Sequence, residues 1–570
     1  MRSPALAAAL CAVAACSSPS RPASGSATTV TAAPAIDAPL AATPAPGKVG
    51  EVCHLDPASP QGTCHAGLFC FPSGGEMGAC TVPCGVTGLA PGGVCPDEAV
   101  CVATGRAGEL CAARCETGAD CLLPGTACDP ARHVCLPPDM ATPALARCDA
   151  PARPRGDFSP PVALSSATSP GVYQYEPAAT LTASGDLVVL YTGGGMFMGP
   201  SALGIARVPR AGAPVLDATI KTTKSQHFDP WLATDPSGAL HAVWLGHNGG
   251  GRDLDPEIGY VRSTDGGATW TAPVAVDAPE DCADHRPFCL DKPMVAAGVG
   301  SGGKGAAVRI FYSSNGMRMR SSTDGGKTFG AAVSVVGATY GDVAIDRGGA
   351  IHVVASSEQE EEAADGDEAA RASVWGTNQA AIVYTASTDG VHFAAPVAVS
   401  APAESTPFFF VNPTLAIDEK RGWIYVAYAA GTPDGAWDIQ LATSKDRGKT
   451  WTRIKANDDA TCANHMVPNL AIDPTRGEPL LTWYENRGDA GHVAFTTCAV
   501  GGGSCKPAVA ISAPMAAYDL VRHSSKWLGE YEALLVDAKT RTLHAAWTEV
   551  GDEGGAPIAR IKTATRALPR

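Results

Sequence analysis

The sequence predicts an all-β fold: a seven-bladed β-propeller, with six blades as the alternative, behind a small disulfide-rich module. Three observations predict it. A short phrase, Ser-x-Asp-Gly-Gly-x-Thr-Trp, returns along the second half of the chain, beginning at Ser263, Ser322, Ser387 and Ser444. A second phrase, Pro-x-Leu-Ala-x-Asp followed by an apolar run ending in an aromatic, stands upstream of it in unit after unit. The runs between them are rich in β-branched and aromatic residues and bounded by glycine and proline. A supersecondary unit copied at this spacing is the mark of a repeat architecture.

The first phrase is complete at Ser263–Trp270, carries phenylalanine at Ser322–Phe329, has Arg447 for its first glycine at Ser444–Trp451, and is degraded at Ser387–Phe393. Each copy lies between two short apolar runs, which reads as strand, tight turn, strand. Aspartate suits such a turn because its carboxylate accepts bonds from backbone N–H groups two or three residues on. The glycines supply positive φ without a Cβ penalty, and the terminal aromatic plugs the turn. On these residues the chain resembles the Asp-box, the bacterial neuraminidase repeat of sialidases and many other β-propellers. In that family the box lies on the face away from the active site, so the resemblance implies structural roles for Asp265, Asp324, Asp389 and Asp446.

The second phrase counts the blades. Clear copies run over Pro230–Trp244, Pro413–Tyr428, Pro468–Trp483 and Glu532–Trp547, and weaker ones over Pro177–Tyr191, Pro293–Tyr312 and Asp342–Ala355, which makes seven. Their near-continuous apolar character suits strands buried on both faces. Outer strands counted separately also number seven, from Pro161–Ser166 to Pro507–Ser512. The first of them precedes every inner strand, and the last unit, ending at Ile558–Thr565, has none after it. Ring closure follows: Pro161–Ser166 completes the last blade beside Ile558–Thr565, leaving only short protected edges.

At 570 residues the chain exceeds one ordinary domain. The expected organisation is 1–16 signal peptide, 17–50 tether rich in alanine, proline, serine and threonine, 51–150 cysteine module and 151–570 propeller. Net charge is −15 with no basic stripe, which argues against nucleic acid as a partner. The apolar stretch Ala5–Ala15 is too short to span a bilayer and has the shape of a signal peptide. Val13-Ala14-Ala15-Cys16 resembles a bacterial lipobox, which implies lipidation of Cys16 and membrane anchoring. Ser17 after it resembles lipoproteins sorted to the outer membrane; secretion after ordinary cleavage is the alternative.

Twelve cysteines lie between Cys53 and Cys135 in three sets of four: 53, 64, 70, 80; then 84, 95, 101, 111; then 115, 121, 128, 135. Each set reads as a small unit stapled by two bridges, too small to hold by a core alone. Pairing within a set has three possibilities. With no C-x2-C pair and few histidines nearby, the pattern does not suit zinc, and the sequence implies neither metal nor cofactor. Cys282 with Cys289, and Cys498 with Cys505, read as local loop staples. Cys148 and Cys462 remain, and are expected to bridge the module boundary to the propeller.

In a propeller the loops that enter the innermost strands share one face with the loops after the second strands. A polar residue occurs there at one phase in blade after blade. The candidate ligand-binding residues are His227, Asp229, Lys292, Asp342, Asn412, His465, Asn469, Glu530 and Tyr531. The sialidase resemblance implies a tyrosine nucleophile assisted by a carboxylate, an acid, and an arginine cluster for the substrate carboxylate. Tyr531 with Glu530 or Glu532, then Asp229 or Asp342, then Arg286, Arg487 and Arg522 would fill these roles. The family's Arg-Ile-Pro at the first inner strand is replaced here by Tyr175-Glu176-Pro177, so the resemblance covers the repeat and not the catalytic set. The sequence thus favours a surface-anchored propeller that binds a glycan or surface protein at its central funnel, with an exo-sialidase-type hydrolase as the alternative. The acidic run Glu358–Asp367 lacks a calcium-loop pattern and reads as a solvated loop.

Overall fold

The computed structural model describes residues 49–54, 64, 68–74, 77–81, 95, 99–103, 109–122, 126–129 and 134–136 of the N-terminal part. Beyond these it describes 153–569 without 165–172, 195–200, 211–213, 215, 249–255, 279–289, 315, 358–376, 379–380, 402–405, 408–411, 432–436, 459–463, 488–489, 516–528 and 554–555. The predicted Cys282–Cys289 and Cys148–Cys462 bridges, the acidic run, Arg286, Arg522 and Cys16 lie outside the described residues.

Seven four-stranded antiparallel blades form the propeller. Their innermost strands are Tyr173–Leu181, Gln226–Thr234, Asp291–Val299, Gly341–Ile345, Thr414–Asp418, Asn464–Ile472 and Ala533–Asp537 for blades 1 to 7. Blade 7 continues through Thr542–Glu553 and Ala556–Ala567 and takes its fourth strand, Val162–Ala163, from the front of the propeller sequence. Ala163 pairs with Lys562 and Val162 with Thr563. The ring therefore closes with strands from both ends of the domain, and the six-blade alternative is excluded.

The segment just before the closing strand is seated on blade 6. The Gly156 N–H donates to the Ala510 carbonyl, and the Ala510 N–H to that of Pro154, each at 2.9 Å. Arg153 pairs with Glu485 and with Asp458, both at 2.6 Å, and Phe158 meets Phe495 edge-on at 5.1 Å. An outer strand edge that would otherwise offer unpaired backbone is thereby covered.

Apolar side chains are shared between neighbours rather than held within a blade. Seven buried clusters each join two adjacent blades, the last joining blade 7 to blade 1. The second strand of each blade is sandwiched on both faces; every residue of Leu240–His247 is buried. Trp244, Trp483 and Trp547, the aromatics that end three copies of the second phrase, are completely buried. Truncating such a side chain to alanine costs about 3–5 kcal/mol.

The Ser-x-Asp turns close on themselves. Ser263 donates its hydroxyl to Asp265 at 2.8 Å, the Thr269 N–H donates to Asp265 at 2.9 Å, and the Thr269 hydroxyl to the other carboxylate oxygen at 2.5 Å. The same set of bonds recurs at Asp324 and at Asp446. In the degraded copy the His392 ring takes the threonine's place, with Nδ1 2.7 Å from Asp389. The second glycine also seats the turn on the preceding blade. Gly326, at φ 83°, lies against the Tyr260 hydroxyl where a Cβ would stand, so positive φ and close approach both demand glycine there.

The cysteine module holds short antiparallel pairings, among them a three-stranded sheet of Val52–His54, Met77–Thr81 and Phe69–Gly74. The bonded pairs described are Cys64–Cys80, Cys95–Cys111, Cys115–Cys128 and Cys121–Cys135. Of the three possible pairings, the third set adopts first-to-third with second-to-fourth, and the second-to-fourth bridge recurs in the other two. Cys498 and Cys505 are bonded on blade 6.

Candidate functional site

Four non-glycine residues at the starts of inner strands have left-handed backbone: Glu176 at φ 58°, Asp229 at 50°, Lys292 at 46° and Val467 at 52°. Each precedes a proline, which itself disfavours helical backbone in the residue before it. At all four places the strand ladder slips, as a bulge requires. A bulge of this kind re-aims a side chain. In blades 1 to 3 that side chain is charged; in blade 6 it is the buried apolar Val467.

The re-aimed groups meet at the axis. Lys292 of blade 3 places its ammonium 2.5 Å from Asp229 of blade 2 and 2.6 Å from Glu530 of blade 7. Blades 3 and 7 are not neighbours, so the second contact crosses the centre of the ring. Asn412 of blade 5 donates its amide to the Glu530 side chain and carbonyl, both at 3.3 Å. Glu176 accepts the Asp229 N–H at 3.0 Å. Trp231 and Tyr531 stand beside them with ring centroids 5.1 Å apart. Asp229, Trp231, Lys292, Met294, Asn412 and Tyr531 are among the residues that line a hollow of about 200 Å³, counted to its open mouth. Its interior has room for about one water-sized group.

Among the described residues, acid exceeds base here. Burial opposes the charge on Lys292, but Asp229, Glu530, Asp291 and Glu176 override it and hold the ammonium well above the ordinary lysine range. The acids are pushed up in return. Burial first, then the Asp229 charge, raises Glu176 far above a normal carboxyl. Burial raises Asp291 to about 8 against the pull of Lys292, and burial also raises Glu530 despite that ammonium.

Several predicted residues do other work. Asp342 accepts the Leu415 N–H at 2.8 Å and the Val343 N–H at 2.7 Å, tying blade 4 to blade 5; burial lifts its pKa to about 6. Asn469 donates to the Glu532 carbonyl, tying blade 6 to blade 7. His227 lies between blades 1 and 2, with Nε2 2.7 Å from the Thr222 hydroxyl and Nδ1 2.9 Å from the Ser201 carbonyl. Burial lowers its pKa to about 4. His465 is completely buried against the Trp437 carbonyl at 2.8 Å, with Glu485 at 3.7 Å. Neither histidine lines the hollow.

For the residues implied by the sialidase resemblance, the Tyr531 hydroxyl donates to the Pro230 carbonyl at 2.7 Å. Burial and the nearby acids raise its pKa far above that of a free phenol, which works against a phenolate nucleophile. The Arg487 side chain, like Arg286 and Arg522, is outside the described residues, and among the described residues the cation lining the hollow is Lys292. Glu176 was not picked out from the sequence, although Glu176-Pro177 stands at the phase of Asp229-Pro230 and Lys292-Pro293. Trp231 was missed because its neighbours mark it as an ordinary strand residue.

No family model and no curated protein matches the chain. Its fold is similar to that of several solved propellers. An α-L-arabinofuranosidase of Fusarium graminearum, solved with arabinobiose, is 14% identical over 72% of this chain and 98% of its own, at TM-score 0.40. A Hadza microbial sialidase is 14% identical over 65% and 73%, at 0.37. A polysaccharide lyase, an ulvan lyase bound to a sulfated glucuronyl-rhamnose unit, is 12% identical over 75% and 100%, at 0.42.

Proposed function

We propose that the chain is an exported, lipid-anchored binding protein that takes a glycan at the axial hollow of its propeller without chemically altering it. The observation that carries the reading is the convergence of Glu176, Asp229 and Lys292 with Asn412 and Glu530, from five blades, upon one point. Three of these side chains arrive through left-handed backbone before proline. Strain of this kind costs of order 1–3 kcal/mol per residue and is concentrated at functional sites. An extended strand start would keep the ladder intact; the bulge breaks it and turns a charged group to the axis. Carboxylates, an amide and two aromatic rings around an open hollow suit a hydroxylated ring, which hydrogen-bonds through its edge and packs through its face.

The Asp-box resemblance supports assigning the Ser-x-Asp face to the fold and the opposite face to the ligand. Export fits the disulfides of the module, which persist in oxidising compartments. Lipidation of Cys16 would hold the protein at the bacterial envelope, in the outer membrane, and a Cys16→Ala variant is then expected in the medium rather than the membrane fraction. A glycan array probed with the full chain tests the binding reading; Asp229→Asn is expected to weaken the signal.

Hydrolysis is the second reading, favoured by one observation: burial pushes Asp291 up to about 8 while Asp229 is ion-paired with Lys292. A buried carboxyl that keeps its proton near neutral pH can serve as a general acid. Turnover of a fluorogenic sialoside, lost in Tyr531→Phe, would establish a sialidase-type hydrolase in place of a binder.

A further inference from the structure

We infer that the axial hollow recognises its glycan through a protonated amino group, and that it rejects glycans carrying carboxylates. The inference rests on the glycan-binding reading above and names the ligand's chemistry. Among the described residues, four carboxyl groups, Glu176, Asp229, Asp291 and Glu530, stand around one ammonium, that of Lys292. Two of them, Asp229 and Glu530, grip it at 2.5 and 2.6 Å, a charge-assisted contact on each side. The ring thus already holds one ammonium, and has more acid than that ammonium can match.

Burial makes the two acids outside that grip, Glu176 and Asp291, hold a proton more tightly than free carboxyls do. A ligand ammonium can replace those protons with a fixed positive charge. A ligand carboxylate would add like charge to a site that already suppresses it. Among the described residues, the groups facing this point from the packed elements are these four acids, Lys292, His247 beside Asp229, the Tyr340 ring 5.7 Å from the Lys292 ammonium, and the hydroxyls of Tyr175 and Tyr531.

A second observation points to a ligand. The Tyr175 hydroxyl has no hydrogen-bond partner among the described residues, although Tyr175 is only 5% exposed. It lies within the fields of Glu176 and Asp229, and its own field reaches the Tyr531 hydroxyl. A buried phenol without a partner loses the hydrogen bonds it had in water, and an N–H brought into the ring would supply one. The Trp231 and Tyr531 rings beside Asp229 add faces that attract a cation. The hollow admits a group of about water size, an amino group rather than a whole sugar ring.

The test is calorimetric titration of the full chain at pH 7 with a β-1,4-linked glucosamine tetramer, its N-acetylated counterpart, sialyllactose and spermidine. Each titration is run in two buffers of different ionisation enthalpy. The amino tetramer is expected to bind at least tenfold more tightly than the acetylated one and to release protons. Sialyllactose is expected to give no signal, and spermidine to bind more weakly than the amino tetramer. Asp229→Asn and Tyr175→Phe should each weaken the amino tetramer, by about tenfold and threefold; Tyr175→Phe removes a single oxygen and keeps the test open if Asp229→Asn does not fold. Equal or tighter binding of the acetylated sugar overturns the inference and leaves the glycan reading standing. Spermidine binding more tightly than the amino tetramer overturns the glycan as the source of the amine. Silence of all three sugars overturns both readings, and unchanged affinity in both variants overturns the site.

Discussion

The propeller carries carboxyl groups on two faces, and the two sets titrate in opposite directions. On the Ser-x-Asp turns, Asp265, Asp324 and Asp389 are exposed and Asp446 is half-buried; all four are held below the usual aspartate range, and Asp265 and Asp446 fall to about 2. The threonine or backbone donors of their own turn are the first cause. At the inner strand starts, Glu176, Asp291, Asp342, Glu530 and Glu532 are pushed up, with burial the first cause in each. A carboxylate saturated by its own turn has finished its task when the turn closes. A carboxyl driven upward inside a ring of others is held there by the fold against its own preference. The difference separates the fold face from the candidate site more sharply than position alone.

Three substitutions sharpen or break this contrast. The largest effect is expected from Lys292→Met, which leaves the ring without its ammonium. Breaking a buried ion pair by removing one partner costs about 3–5 kcal/mol, and the loss should be greater at pH 8 than at pH 5, where the acids take up protons. Urea unfolding at the two pH values decides it, and a loss independent of pH would show that the acids do not depend on Lys292.

Next is Glu532→Gln. Burial raises Glu532 to about 8 from an ordinary 4.5, so its contribution to stability is full below pH 4.5 and is lost as pH rises through 8. The variant should therefore gain on the wild type by up to about 5 kcal/mol between pH 4.5 and 9. Parallel stability curves for the two proteins would break the prediction.

The smallest effect is expected from Asp265→Asn. A depressed pKa stabilises above the unfolded value and loses that contribution as pH falls through about 2. The variant should melt slightly below the wild type at pH 7 and level with it at pH 2. A variant that melts with the wild type at both values would mean that the turn does not depend on its carboxylate.

The turn phrase was legible because its chemistry is local. Ser263, Asp265, Gly267 and Thr269 bond to one another within a few residues, so spacing alone announces the structure. The number of blades was legible for a related reason, since each unit repeats the same burial of its second strand. Ring closure by Val162–Ala163 was inferred from a strand left over at each end. The site was legible only as a phase. Polar residues at the strand starts look alike in sequence, yet Asp342 and Asn469 bond the next blade's backbone while Asp229 and Lys292 reach the axis. The sequence could not sort them, because the outcome depends on which backbone groups the neighbouring blade presents.

By itself, then, the sequence determined what short-range rules govern: strand and turn, the repeat, the count of blades and the grouping of the cysteines into fours. Tertiary structure alone decided which cysteines pair within each set of four, which polar residues meet across the ring, and that Lys292 of the third blade rests on Glu530 of the seventh. These contacts join residues far apart along the chain, and a bond of that kind leaves no local pattern until the ring has closed around it.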